Sequence, residues 1–215
     1  MTIDEWIKNG KPWNVILHGD CMDLMKHFND KEVSLSIVDP PYGINADSMT
    51  MGKGSGNDTG KFKSSGWDIN IPDENYFNEL KRISHNQIIW GGNYYNLGKT
   101  RCYLLWDKMD YNSDFASAEL AWTSFDKVVK TFRHARNGKD KRIHPTQKPI
   151  ALYRWILQNY AKTGDKIIDT HSGSGSLACA CHLEKFDFLA IEKDEDYFKS
   201  SVERLDTLRS QGRLF

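Results

Sequence analysis

The sequence predicts an α/β domain with a mostly parallel central sheet that is covered by helices on both faces. Short apolar segments rich in β-branched residues alternate with amphipathic helical patterns, and this alternation is typical of βαβ units. A chain of 215 residues can bury one substantial core, so we expect a single domain over residues 1–215. The seven predicted strands are residues 14–18, 33–38, 87–90, 103–106, 118–122, 166–169 and 188–191.

Five helical patterns lie between or after these strands. Asp20 is suited to cap a helix over residues 21–28, because its carboxylate can accept hydrogen bonds from the first backbone N–H groups. The other helices are predicted around residues 76–83, from Pro149 to the residues before Gly164, over residues 177–184, and from about Asp194 onward.

Residues 43–66 differ from the rest of the chain. They contain six glycines and few apolar side chains, so they have little with which to pack against a core. We expect a mobile loop there. The sequence leaves open whether this loop is a lid or arm that contacts a substrate, or only a surface insertion.

Composition excludes several classes of protein. No stretch approaches the roughly 18 consecutive apolar residues of a membrane span. The 29 basic and 29 acidic side chains give a net charge of zero, which argues against nucleic-acid binding through overall charge. Four cysteines without C-x-x-C spacing and an unmarked N-terminus predict a reducing, cytoplasmic setting and no metal site.

The segment Asp39-Pro40-Pro41-Tyr42 directly follows an apolar strand, at the end of the strand where open α/β sheets bind ligands. The prolines cannot donate hydrogen bonds, so Asp39 and the free carbonyls form an accepting surface that suits an amino group. Two such acceptors would localise the lone pair of a base's exocyclic amine for attack. Tyr42 would stack on a base extruded from the duplex. Taken alone, the segment also fits a simple strand-ending turn.

Residues 166–176 predict a strand that leads through a glycine loop into a helix. Gly173 and Gly175 allow the backbone to approach a ligand closely, and Glu192 ends the next strand, where it can accept from two ribose hydroxyls. These features are typical of a nucleoside-binding half-site. The loop also fits the dinucleotide fingerprint, so a nicotinamide- or flavin-dependent oxidoreductase is an alternative, although it leaves Asp39 unexplained.

Two further segments are ambiguous on their own. Asp20 and Cys21 end another strand, where the carboxylate and the Cys21 N–H suit an adenine ring, but Asp20 equally suits a helix N-cap. The turn His144-Pro145-Thr146-Gln147-Lys148-Pro149 precedes a helix. In it, Lys148 or the backbone amides can hold a carboxylate.

In their order along the chain, these segments resemble the beta group of DNA amino-methyltransferases. That group has an adenine-contacting Gly-Asp first, then Asp-Pro-Pro-Tyr, then His-Pro-Thr-Gln-Lys-Pro, and the glycine loop last, as here. Residues 90–94 and 106–108 also look like family segments beside the target-base pocket. The resemblance implies S-adenosylmethionine as cofactor. It further implies a circularly permuted, Rossmann-like methyltransferase fold with a seven-stranded sheet and one reversed strand.

The same resemblance implies a role for each site residue. Asp39 and the Pro40 carbonyl bind the target amine, Pro41 stiffens the turn, and Tyr42 stacks on the base. His171 departs from the family's usual Asp-Pro-Phe, and an imidazole at that position allows a pH-dependent cofactor affinity. The residues implied around the cofactor are Asp20, Cys21, His144, Thr146, Gln147, Asp169, His171, Ser172, Gly173, Ser174, Gly175, Ser176 and Glu192.

Target recognition is left to a short basic segment, residues 125–143. Its cations would contact DNA phosphates, although a solvated charged face is the alternative. A target-recognition segment this small predicts a short or relaxed recognition sequence, unless a second subunit or residues 43–66 add base contacts. The cations are Lys127, Lys130, Arg133, Arg136, Lys139, Lys141 and Arg142.

The predicted reaction is methylation of adenine N6 in double-stranded DNA with the target adenine flipped. In the family that this chain resembles, aspartate rather than serine before Pro-Pro-Tyr favours adenine N6 over cytosine N4 as the methyl acceptor. Cytosine N4 or an RNA amine is the alternative acceptor, and a DNA-binding protein with a vestigial cofactor pocket is the non-enzymatic alternative. A homodimer would supply further DNA contacts, and a restriction endonuclease partner stays an open question.

Overall fold

A computed structural model of the protein describes residues 1–46, 66, 68–110, 116–135 and 142–211. Within them, eight strands form one sheet that is flanked by helices. The elements in chain order are α1 (Ile3–Lys8), β1 (Val15–His18), α2 (Cys21–Met25), β2 (Val33–Val38), α3 (Glu74–Ile83), β3 (Ser84–Trp90), β4 (Tyr103–Asp107), β5 (Ala118–Thr123), β6 (Lys130–Arg133), α4 (Ile150–Tyr160), β7 (Lys166–Asp169), α5 (Ser176–Glu184), β8 (Asp187–Glu192) and α6 (Glu195–Gln211).

The strand order is β1-β8-β7-β2-β3-β5-β4-β6. Every neighbouring pair is parallel except those of β5, which runs antiparallel to β3 and β4. The predicted mostly parallel sheet with one reversed strand is therefore confirmed. The described sheet has one strand more than predicted, because the polar segment Lys130–Arg133 pairs with β4 at the sheet edge.

Helix ends follow from local capping. The Asp20 carboxylate accepts from the Met22 N–H at the start of α2, as its position predicts, but α2 ends at Met25, before the predicted residue 28. Pro149 is the N-cap of α4 rather than its first helical residue. Helix α1 was not predicted; Thr2 and Glu5 form a capping box at its start.

The core lies on both faces of the sheet. Consecutive residues Ile37 and Val38 of β2 belong to different hydrophobic clusters, since side chains alternate between the faces of a strand. Helices α4, α5 and α6 cover one face and α1, α2 and α3 the other. The continuous apolar pattern of the central strands is thus explained by burial on both sides.

Parallel strands β1, β8, β7, β2 and β3 all end at the same edge of the sheet, here called the catalytic edge. Among the described residues, no helix is both long and apolar enough to cross a membrane. Of the predicted mobile loop 43–66, the structure describes residues 43–46 and 66. The rest of that loop lies outside the described residues.

Candidate active site

A cleft of about 1030 Å³ runs along the catalytic edge. All four residues of the Asp39–Tyr42 turn line it. Eleven of the thirteen predicted cofactor residues also line it, whereas Asp169 and Gly175 do not. The predicted residues that line the cleft are Asp20, Cys21, Asp39, Pro40, Pro41, Tyr42, His144, Thr146, Gln147, His171, Ser172, Gly173, Ser174, Ser176 and Glu192.

The Asp39 carboxylate already has two hydrogen-bond donors. The Tyr42 hydroxyl donates to Oδ1 at 2.6 Å and the Lys148 ammonium to Oδ2 at 2.5 Å. Burial raises the pKa of Asp39 above its ordinary value, although Lys148 opposes the rise. A carboxylate has about four acceptor sites, so two remain for a ligand.

Lys148 is paired with two acidic side chains. Its ammonium group pairs with Asp39 and, at 2.9 Å, with Glu119. Both are carboxylates of the chain itself. Of the two predicted alternatives, Lys148 or the backbone amides, Lys148 holds the carboxylates, and its partners belong to the chain itself.

The carbonyls of the proline turn are also engaged. The Tyr95 hydroxyl lies 2.8 Å from the carbonyl oxygens of both Pro40 and Pro41. Each carbonyl has a second lone pair. The accepting surface predicted for this turn is thus present, with part of its capacity used by Tyr95.

The Tyr42 ring forms one wall of the cleft. It stacks on the half-exposed ring of Tyr94, with ring centroids 4.9 Å apart and planes 15° apart. The backbone of Gly91 lies against the Tyr42 ring. We call the stacked pair of Tyr42 and Tyr94 rings the stacking platform.

Asp68 fixes the backbone that follows Tyr42. Its buried carboxylate accepts from the N–H groups of Tyr42 at 2.6 Å, Gly43 at 3.0 Å, Ile44 at 3.3 Å and Ala46 at 2.8 Å. All four hydrogen bonds that the Asp68 carboxylate accepts here come from this one turn. The shape of that turn therefore depends on Asp68.

The glycine loop between β7 and α5 is tied to the end of β8. The Gly173 N–H donates to Glu192 Oε2 at 2.7 Å, and the Asp194 N–H donates to Oε1 at 2.9 Å. Burial raises the pKa of Glu192 above its ordinary value. Ser172 also lines the cleft, and its buried hydroxyl has no hydrogen-bond partner among the described residues.

Asp20 combines the two roles that its position suggested. It caps α2, and its other oxygen accepts from the Lys193 ammonium at 3.0 Å. It also lines the cleft beside Cys21. Burial raises the pKa of the Cys21 thiol to about 12, so this cysteine stays a neutral thiol.

The Asp169-Thr170-His171 turn lies between β7 and the glycine loop. The His171 N–H donates to the Asp169 carboxylate at 3.1 Å, and burial raises the pKa of Asp169 to about 8. Burial also lowers the pKa of His171 to about 4. The imidazole is therefore neutral near pH 7, which does not support a pH-dependent cofactor affinity through this residue at neutral pH.

The turn before α4, residues 144–148, also lines the cleft. The His144 ring packs against the Tyr197 ring, with ring centroids 4.3 Å apart. Burial lowers the pKa of His144 to about 3. Its Nδ1 lies 3.1 Å from the Thr146 hydroxyl. The Gln147 side chain accepts from the Ile143 N–H at 3.0 Å, so it braces the turn from within.

The predicted basic strip is divided between the two edges of the sheet. Lys127 donates to the Asn159 carbonyl near the end of α4, at the edge opposite the cleft, and Lys130 begins β6 at that same edge. A contact between these two lysines and DNA held at the cleft is therefore not supported. At the catalytic edge, Arg133 pairs with Asp107 and Arg142 donates to the Pro145 carbonyl. Arg136, Lys139 and Lys141 lie outside the described residues.

Sequence reasoning missed three residues of the site. Glu119 lies inside a strand, where a single acid next to apolar residues gives no motif. Tyr95 and Asp68 act only through contacts with the proline turn. The signal for Lys108, the partner of Glu119, was present in the family-like segment at residues 106–108.

Comparison with known proteins decides the family. A family model described as DNA methylase, of the N6/N4 methyltransferase kind, matches residues 90–203, just over half of the chain. The chain belongs to this DNA methylase family. As a member it is an S-adenosylmethionine-dependent DNA methyltransferase, which removes the oxidoreductase alternative.

Individual relatives are similar over different lengths. The type II methyltransferase M2.MboI of Moraxella bovis is 23% identical over 88% of this chain and 86% of its own length. M2.DpnII of Streptococcus pneumoniae is 32% identical over 57% of this chain and 42% of its own length. The chain thus spans most of the first relative but under half of the second.

Solved structures share the fold of this DNA methyltransferase. The M1.HpyAVI–SAM complex superposes with a TM-score of 0.58 at 19% identity, covering 88% of this chain and 98% of that one. The PvuII DNA methyltransferase, described as cytosine-N4-specific, gives 0.58 at 11% identity over 91% of each chain. The predicted Rossmann-like methyltransferase fold is confirmed.

Proposed function

We propose that this chain methylates the N6 amine of adenine in double-stranded DNA. The observation that carries the proposal is the Asp39-Pro40-Pro41-Tyr42 turn, whose carboxylate and carbonyls line the cleft beside a stacking platform. Aspartate at the first position of this turn is the basis for adenine N6 over cytosine N4.

The predicted cofactor residues fit S-adenosylmethionine. Asp20 with the Cys21 N–H suits the adenine, Glu192 suits the ribose hydroxyls, and the glycine loop suits the methionine part. The buried, unpartnered Ser172 hydroxyl supports this assignment because it offers a hydrogen bond within the cleft. Bound S-adenosylmethionine would supply an electrophilic methyl group on its sulfonium.

Asp39 and the Pro40 carbonyl would each accept one N–H of the target amine. This grip localises the nitrogen lone pair, which forms the new bond to the methyl carbon as the carbon–sulfur bond breaks. The nitrogen then carries a positive charge and must lose one proton. The raised pKa of Asp39 makes its carboxylate the better acceptor for that proton.

A flipped adenine needs a flat surface to stack on. Tyr42 offers its ring, and the half-exposed Tyr94 is the neighbouring ring that a base would displace or join. Arg133 and Arg142, at the catalytic edge, remain candidates for phosphate contacts.

The proposal also covers the partners of the protein and its cellular compartment. A homodimer would enlarge the small DNA-reading surface, and the type II methyltransferase relatives support a restriction endonuclease as functional partner. All four cysteines are free thiols, which supports a reducing, cytoplasmic setting.

The test is to incubate the protein with methyl-labelled S-adenosylmethionine and mixed-sequence DNA, and to identify the labelled nucleoside. We expect N6-methyl-2′-deoxyadenosine from the wild type and from the surface control Asp206→Asn, which alters an exposed ion pair with Arg209 on α6. Asp39→Asn should lose about 100-fold or more in rate. Label in N4-methylcytosine, or none in DNA, would overturn the adenine assignment.

A further inference from the structure

Four charged side chains meet at the floor of the cleft, the two lysines buried and the two acids partly exposed. Lys148 Nζ lies 2.5 Å from Asp39 Oδ2 and 2.9 Å from Glu119 Oε2, and Lys108 Nζ lies 2.6 Å from Glu119 Oε1. They come from four places in the chain: the ends of β2 and β4, strand β5, and the turn before α4. We call these four residues the charge chain.

Lys148 is the most enclosed member, with its side chain 2% exposed. Its three N–H donors have three acceptors, namely Asp39, Glu119 and the Tyr42 hydroxyl at 3.2 Å. The Trp90 ring covers the ammonium group at 5.2 Å. A buried cation needs its full set of partners, so the position of Lys148 is fixed by these residues.

We propose that Lys148, anchored by Glu119, is a positioning residue that keeps Asp39 ionised and aimed into the cleft. The proposal rests on the proposed function, because it concerns the group that grips the target amine. Asp39 keeps two free acceptor sites only as a carboxylate. Without Lys148 it would be a buried acid beside a second acid, and one of the two would take up a proton.

Glu119 serves the same end by offsetting charge. Methyl transfer places a positive charge on the amine nitrogen, and an unbalanced Lys148 ammonium nearby would oppose it. Burial raises the pKa of Glu119, but Lys148 and Lys108 outweigh burial and bring the pKa down to about 2. Glu119 is thus a permanent anion that holds Lys148 in place and cancels its charge.

Other titratable groups also face Asp39. Tyr42 lies in the same turn, and Tyr95 follows β3. Tyr76 on α3, Tyr153 on α4 and Asp169 at the end of β7 contribute weaker electrostatic interactions. The tyrosine pKa values are raised and these side chains stay neutral at working pH, so the charge chain dominates the ionisation of Asp39.

Two substitutions should move the ionisation of Asp39 in opposite directions. In Lys148→Met the cation that lowers the pKa of Asp39 is gone, so the acid limb of the kcat–pH profile moves to higher pH by about 1–3 units. In Glu119→Gln the like charge that raises this pKa is gone, so the limb moves to lower pH. Both variants should lose kcat, about 100-fold for Lys148→Met, while KM for the cofactor stays within about twofold.

Lys148→Arg is the conservative control, because a guanidinium restores the charge in a different shape. We expect it to return the acid limb towards the wild-type position, even where kcat stays low. An acid limb that stays in place in both Lys148→Met and Glu119→Gln, with wild-type methylation intact, would overturn the role of Lys148 and leave the proposed function standing.

Infrared spectroscopy tests the proposal without catalysis. The protonated-carboxyl band of Asp39, identified as the band that Asp39→Asn removes, should persist to higher pH in Lys148→Met than in the wild type. Equal titration of that band in both proteins contradicts the proposal. Absence of methyl transfer by the wild type would instead count against the proposed function alone.

Discussion

Gly91 leaves the space that the Tyr42 ring occupies. Its φ is +71°, and a Cβ added there would lie 2.3 Å from Cε1 of the Tyr42 ring. Real Cβ atoms do not approach a ring so closely, so any side chain at this position must push Tyr42 away. The ring that forms the stacking platform can rest where it does only because residue 91 is glycine.

Gly91→Ala should therefore displace Tyr42 and lower kcat/KM for DNA by about 100-fold, which steady-state methylation assays would measure. Gly98→Ala is the matched control, since Gly98 also has positive φ, at +84°, but nothing lies within 4 Å of an added Cβ. That control should lose about 1–2 kcal/mol of stability from backbone strain and keep its activity. Equal activities in the two variants would show that Tyr42 needs no such support.

At the scale of elements, the turn between β2 and the following segment depends on one carboxylate. Each oxygen of the Asp68 carboxylate accepts from two backbone N–H groups, and Asp68→Asn replaces one of these oxygens with an amide group that can only donate. We expect a loss of about 3 kcal/mol of stability, measured by chemical unfolding, and a raised KM for DNA because the Tyr42 turn loosens.

Asp73→Asn is the control for that substitution. Asp73 caps α3 by accepting from the Tyr76 N–H at 3.0 Å, and asparagine caps a helix about as well as aspartate. Its stability and KM should stay close to wild type. A similar loss of stability in both variants would mean that the four Asp68 hydrogen bonds stabilise the protein no more than an ordinary helix cap does.

Elements with a strong local pattern were predictable from the sequence, and those that depend on tertiary pairing were not. The apolar run of β2 was predicted to the residue because both of its faces are buried. Strand β6 was missed because Lys-Thr-Phe-Arg is mostly exposed and exists only as a partner of β4. Helix α1 was missed because it buries a single residue, Trp6.

The site divides in the same way. Asp39, the glycine loop and Glu192 were predicted to meet because parallel strands end at one edge. The pairing of Lys148 with Asp39 joins residues 109 positions apart, and no local pattern carries that information. Sequence motifs thus identified the groups that face the ligand, whereas the groups behind them required the structure.

For the whole molecule, the two edges of the sheet should differ in their response to DNA. Arg133→Ala, at the catalytic edge, should reduce the slope of log affinity against log salt by about 1, as expected for one lost phosphate contact. Lys127→Ala, at the opposite edge, should leave the slope unchanged. Fluorescence anisotropy across a salt series measures the slope for both variants. A reduced slope for Lys127→Ala would contradict the proposal, because it would mean that DNA contacts the edge opposite the cleft.

The strand order also sets when the molecule can assemble. Strands β1 and β2 are consecutive in the chain, yet β8 and β7 lie between them in the sheet. Among the described strands, β1 pairs only with β8, which ends at residue 192. During synthesis β1 therefore has no neighbouring strand until residues 187–192 have been made. The Asp39 turn and the glycine loop follow strands β2 and β7, which pair with each other, so they can meet before β1 joins the sheet, and closure of the sheet through β1 comes last.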